Sequence, residues 1–259
     1  MDLTSLVISV VVVILVVLVM HRRQERGPES LDVVPPAISP LALDATPDSP
    51  MGFGYKNAWF AIKTDDSSGV IETLGLDELL PANWCSGLTA SYDHYDTHVF
   101  VSPSVEGWVF VVGAALADCG DSRRPDRCTP VLEALGQRYD SVFFFATHRV
   151  VEFHAWARVD RGRITRAYAW LGETGVTLWN RGDQTEEERA LDFDFFADEP
   201  PEGEGDAYWD RDDLRFPGEE DVIRIAGEWS LSPLALDTMD VPECVGYVGQ
   251  VPLIWRHNH

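Results

Sequence analysis

Between Arg149 and Val159 the chain alternates. Val151, Phe153, Ala155, Ala157 and Val159 fall on one side, and Val150, Glu152, His154, Trp156 and Arg158 on the other. A period of two belongs to a β-strand, whose successive side chains point to opposite faces. Asp160, Arg161 and Gly162 interrupt the run, and alternation resumes with Ile164, Arg166, Tyr168 and Trp170 against Thr165, Ala167, Ala169 and Leu171. The pattern predicts an antiparallel hairpin, and a second break at Gly172 and Gly175 before Val176 to Trp179 extends it to a three-stranded meander. One face is small and aliphatic and suits packing under helices. The other joins aromatic rings to an imidazole and guanidinium groups. It is expected to be either a recognition surface formed by Trp156, Arg158, Arg166, Tyr168 and Trp170, or a half-solvated sheet face on which charged side chains pair across the rings.

Other elements follow from the same kind of reading. Tyr55 to Thr64 is expected to open the sheet, Val99 to Ser102 and Trp108 to Gly113 to form two further strands, and the apolar run from Ser141 to Ala146 a fully buried one. Ser67 or Ser68 is expected to cap a helix through Val70, Ile71, Leu74 and Leu79 that Pro81 ends, and Thr129-Pro130 to start another through Leu135. Thr185 followed by Glu188 matches a capping box. Glu219, Glu220 and Asp221 supply the carboxylates that a helix N-terminus favours, ahead of Val222, Ile225, Ala226 and Trp229 at helical spacing. Strands and helices succeed one another without regular alternation. The fold class is therefore α+β with a mainly antiparallel sheet and packed helices.

The run THRVVEFHAWARVDRGRITRAYAWLGETG, followed by LWNRGDQTEEE and preceded by VFVSPSVEGWVFVVG, resembles a stretch found in a family of bacterial proteins with no assigned activity. The resemblance covers Val99 to Trp229 and implies one globular unit there. It carries over no catalytic residue.

Leu3 to Met20 is almost wholly Val, Ile and Leu, and as a helix its length of about 27 Å spans the hydrocarbon core of a bilayer. It has no basic start and no small-residue cleavage site, so residues 1–23 read as an uncleaved transmembrane anchor with a basic flank. Arg22, Arg23 and Arg26 follow the span and place the C-terminal side in the cytoplasm of a single-pass protein in the cell membrane. The prolines between residues 24 and 50 predict an extended flexible linker, leaving 51–259 as a single globular domain.

The formal charge is −23, with 20 Lys and Arg against 43 Asp and Glu, which excludes a phosphate backbone as a natural partner. Nucleic acid is not expected. A basic protein partner is, since 17 acidic residues stand against three Arg between Asp183 and Asp221 and would steer its approach. The leading expectation is a membrane-tethered acidic module that binds a protein, in a regulatory or toxin-neutralising role, with no cofactor.

The alternative is a hydrolase or metal-dependent enzyme. His148, Glu152 and His154 have the residue types of an acid/base set, and His94, Asp96 and His98 would share one face if SYDHYDTH were a strand. Cys119 and Cys128 bracket a polar loop at a spacing compatible with a disulfide, and neither CxxC nor a paired zinc spacing occurs. GxSxG, Walker A, GxGxxG and HExxH patterns are absent, so enzyme activity is the less expected outcome.

Overall fold

The computed structural model describes residues 41–116, 118–120, 125–191 and 214–255. Among these, nine strands join in one sheet: β1 (Asn57–Lys63), β2 (Asp77–Ala82), β3 (His98–Val101), β4 (Trp108–Val112), β5 (Ser141–His148), β6 (Phe153–Asp160), β7 (Arg163–Leu171), β8 (Val176–Arg181) and β9 (Gly246–Gln250). The order across the sheet is β2-β9-β3-β4-β1-β5-β6-β7-β8, and every pairing is antiparallel. The fold is α+β. Strand β1 lies at the centre because Trp59, Phe60, Ala61 and Ile62 are apolar in succession and leave no side for water.

Among the described residues five α-helices cover the two faces: α1 (Ser67–Leu74), α2 (Trp84–Asp93), α3 (Cys128–Arg138), the single turn α4 (Glu186–Arg189) and α5 (Glu219–Trp229). Helices α1 and α3 pack on the face bearing Phe60, Val109, Phe144 and the alanines of the meander. Helices α2 and α5 pack on the opposite face, against Trp59, Phe110, Phe145 and Trp156. The strands expected around Asn57, Val99, Trp108 and Ser141, the Thr185 capping box and α5 form where the patterns placed them, and so does the meander from Phe153 onward, Arg149 to Glu152 being the β5–β6 turn instead of its first strand.

Several expectations need correction. Helix α1 is capped by Asp66, whose carboxylate accepts the Gly69 amide, and it stops at Leu74 because Gly75 turns left-handed at φ 62°. The chain then runs as the edge strand β2, where Pro81 is tolerated because one side of the ladder is unpaired. SYDHYDTH is not a strand: its first residues finish α2, and His94 is the helix's C-cap. Residues 41–50 are part of the folded unit and not extended linker. Asp48 accepts the amides of Trp84 and Cys85 at the start of α2, Asn83 binds the Thr46 carbonyl, and Leu41 and Leu43 pack on the core. No periodicity or cap in the sequence had marked helix α2 or strand β9.

Cys119 and Cys128 are buried thiols, not joined as a disulfide. Burial, with Cys119 beside it, pushes the Cys128 thiol well above its ordinary pKa. No helix among the described residues is long and apolar enough to cross a membrane, and the Leu3–Met20 segment lies outside those residues, as does the acidic stretch 192–213.

Candidate functional site

The hairpin register sets opposite one another the residues that alternation had assigned to one face: His154 against Trp170, Trp156 against Tyr168, and Arg158 against Arg166. That face is interior. Trp156, Arg166, Tyr168 and Trp170 are between 0% and 3% exposed, and only Arg158 remains half-buried. A partner therefore cannot touch these rings or the Arg166 guanidinium without displacing what covers them, and the half-solvated alternative also fails.

What covers them begins with the capping box. Thr185 caps the amide of Glu188, and the Glu188 carboxylate returns a bond to the Thr185 amide at 2.7 Å. The same carboxylate, fully buried, accepts from Trp156 Nε1 at 2.6 Å and from Arg166 Nε at 2.8 and 2.9 Å. Arg166 Nη1 donates to Asn180 Oδ1 at 2.9 Å and to the Gly182 carbonyl at 3.1 Å. The guanidinium also lies over the Tyr168 ring, 5.5 Å from its centroid. Charges taken out of water at this depth persist only when paired and multiply bonded, so this cluster is a structural lock.

At the far end of the same face the cover changes and a cleft of about 780 Å³ opens. It lies between the β5–β6 turn and the N-terminus of α5. Its floor is His154, and its walls carry Glu152 and Arg149 from the turn and Arg215, Phe216, Glu219, Glu220 and Asp221 from the approach to α5. Phe216 stacks on Trp170 at 5.3 Å and 17°, which anchors that wall to the sheet. Glu152 sits in the left-handed region at φ 51° and folds over Gly172. A Cβ on Gly172 would come within 2.6 Å of the Glu152 Cβ, so the turn needs glycine there.

His154 is 4% exposed, and burial lowers its pKa to about 4, leaving a neutral ring at physiological pH. Its Nδ1 lies 3.0 Å from the Thr147 hydroxyl, which is itself 3.5 Å from Glu219 Oε1. If the hydroxyl donates to Glu219, Nδ1 carries the ring proton and Nε2 is left as an acceptor. Glu219 Oε1 also accepts the Lys56 amide at 3.2 Å, so the turn before β1, strand β5 and helix α5 meet at this one carboxylate.

The structure thus brings Glu152 and His154 into one cleft but sends His148 elsewhere. In the ladder His154 pairs with Thr147 and His148 with Phe153, so the two histidines point to opposite faces. They are not an acid/base set. His94 and His98 approach with ring centroids 5.4 Å apart, yet among the described residues no three His, Cys, Asp or Glu side chains gather as metal ligands. The α5 carboxylates belong to the acidic run from Asp183 to Asp221 that the sequence marked, whereas Arg149 had no signal as a site residue, because it joins them from a segment some 65 positions away. No family model, no curated protein and no solved structure matches the chain.

Proposed function

We propose that the chain is a membrane-tethered acidic module that binds a basic protein partner, and that the cleft above His154 receives a cationic side chain of that partner. The observation that carries this reading is the charge of the cleft. Four carboxylates and two guanidinium groups line it. Arg215 is paired with Asp221 at 3.1 Å, which leaves Glu152, Glu219 and Glu220 facing Arg149. Tyr55 and Phe216 add aromatic faces, and a neutral His154 adds an acceptor without adding positive charge. An arginine or lysine side chain satisfies all three features. The carboxylates are spread around the rim instead of converging on one point, which suits an extended guanidinium better than a metal ion.

Titrating the full-length chain with an arginine-rich peptide tests this. The double variant Glu152→Gln, Glu220→Gln should weaken binding by about tenfold or more. The remote double variant Glu133→Gln, Asp140→Gln should change it little. Equal loss in both would mean that the peptide responds only to net charge, and the cleft would lose its role.

The hydrolase reading rests on the His154–Thr147–Glu219 chain of contacts. Its weakness is that a ring with a pKa of about 4 is a poor proton acceptor at neutral pH.

A further inference from the structure

Below the sheet, opposite the acidic cleft, the apolar face of the meander ends in a second hollow. Ala146, Ala155, Ala157, Ala167 and Ala169 give this face little height, so α3 lies close to it at the Val159 end. Gly136 of α3 makes that approach possible, since a Cβ there would stand 2.5 Å from Val159 Cγ1 and 3.2 Å from Gly162 Cα. Toward the other end of the strands no residue of the described helices lines this face, and a cavity of about 230 Å³ remains. Phe144, Phe153, Leu171 and Leu178 wall it, and the loop carrying Ala114 and Leu116 roofs it.

On β5 a polar side chain interrupts this largely apolar lining. His148 follows Phe144 and Ala146 on alternate positions of β5 and so points to the same face. Its Nδ1 is buried and has no hydrogen-bond partner among the described residues. Buried ring nitrogens are paired as a rule, and an unpaired one at the wall of an open cavity is a place for a ligand atom. Lys56 and Asp118 also line the hollow, with opposite charges, so neither sign of ligand charge is favoured.

We infer that this hollow binds a small neutral alcohol with an apolar body, its hydroxyl on His148 Nδ1 and its carbon skeleton against Phe144, Phe153, Leu171 and Leu178. A hydroxyl both donates and accepts, so it satisfies Nδ1 in either tautomer. The volume decides the size class. It exceeds the roughly 150 Å³ cavity that holds benzene and falls short of the 300 Å³ and more of drug-sized pockets. A medium-length aliphatic or phenolic alcohol fits between these limits. The site is independent of the acidic cleft, being on the other face of the sheet.

Calorimetric titration of the full-length chain with 1-octanol, and with octanoate as the charged counterpart, tests the assignment. Saturable binding of 1-octanol is expected, with octanoate weaker. His148→Phe keeps a ring in place but removes the nitrogen, and should lower 1-octanol affinity by roughly tenfold. Ala114→Trp changes an exposed residue at the mouth, endangers the fold least, and should abolish binding. Glu133→Gln on the exposed side of α3 should leave it unchanged. The inference is overturned if 1-octanol does not bind saturably, if both cavity variants bind it as the wild type does, or if octanoate binds as tightly.

Discussion

The two faces of the β6–β7 hairpin are built from alternate residues of the same strands, yet they are held by different physics. On one face Ala155, Ala157, Val159, Ala167 and Ala169 let α3 pack by shape alone, with no side chain there reaching for a hydrogen bond. On the other, Trp156 and Arg166 are locked by the buried Glu188 carboxylate in at least three directed bonds. The first face depends on volume and the second on the completeness of a polar network. Each should therefore fail in its own way.

The largest effect should come from opening the network. Glu188→Ala leaves the Arg166 guanidinium buried without its anion and should destabilise the fold by about 3–5 kcal/mol in denaturant titrations. The exposed pair of Glu72 and Arg138, 2.7 Å apart with Glu72 76% exposed, offers the contrast. Glu72→Ala should leave the denaturation midpoint where it was. Equal effects from the two substitutions would end the claim that burial makes Glu188 special.

His154 yields the next effect, and it depends on pH. The fold lowers its pKa from 6.5 to about 4, so as pH falls the unfolded chain takes up the proton first. The stabilising contribution is complete above pH 6.5 and is lost as pH falls from there toward 4. The loss is about 1.4 kcal/mol per pH unit and about 3 kcal/mol in all. Comparing unfolding free energies of wild type and His154→Gln at pH 7 and pH 5.5 checks this. The wild type should lose more stability across that step, and parallel losses would show that the ring does not resist protonation.

The smallest effect belongs to the apolar face. Gly136→Ala gains helix propensity of up to about 1 kcal/mol but drives a methyl group into Val159. Overpacking of that kind costs about 1–3 kcal/mol, so a net loss of up to about 2 kcal/mol is expected in thermal melts. A stabilised variant would mean that α3 is free to move away from the sheet, and that shape does not hold this face.

Much of the architecture was legible in the residues. Alternation from Phe153 to Trp170 assigned side chains to their faces, the spacing of Thr185 and Glu188 placed a capped turn, and Val222 to Trp229 marked the packed stripe of α5. These features are local: backbone geometry alone imposes a period of two or of 3.6, and a cap joins residues three apart. The covering of each face was not local. Trp156 and Arg166 read as surface groups until Glu188 closed over them, and Thr185's capping partner proved to be the counter-ion of a strand residue 22 positions away. Likewise, alternation could not carry across the β5–β6 turn, where Glu152 takes a left-handed conformation, so it could not tell that His148 and His154 face opposite ways. The acidic cleft and the apolar hollow lie on either side of that turn. Periodicity in sequence determined which side chains share a face; long-range packing alone decided whether that face meets water, a helix or an open cavity, because burial depends on segments that no local pattern brings together.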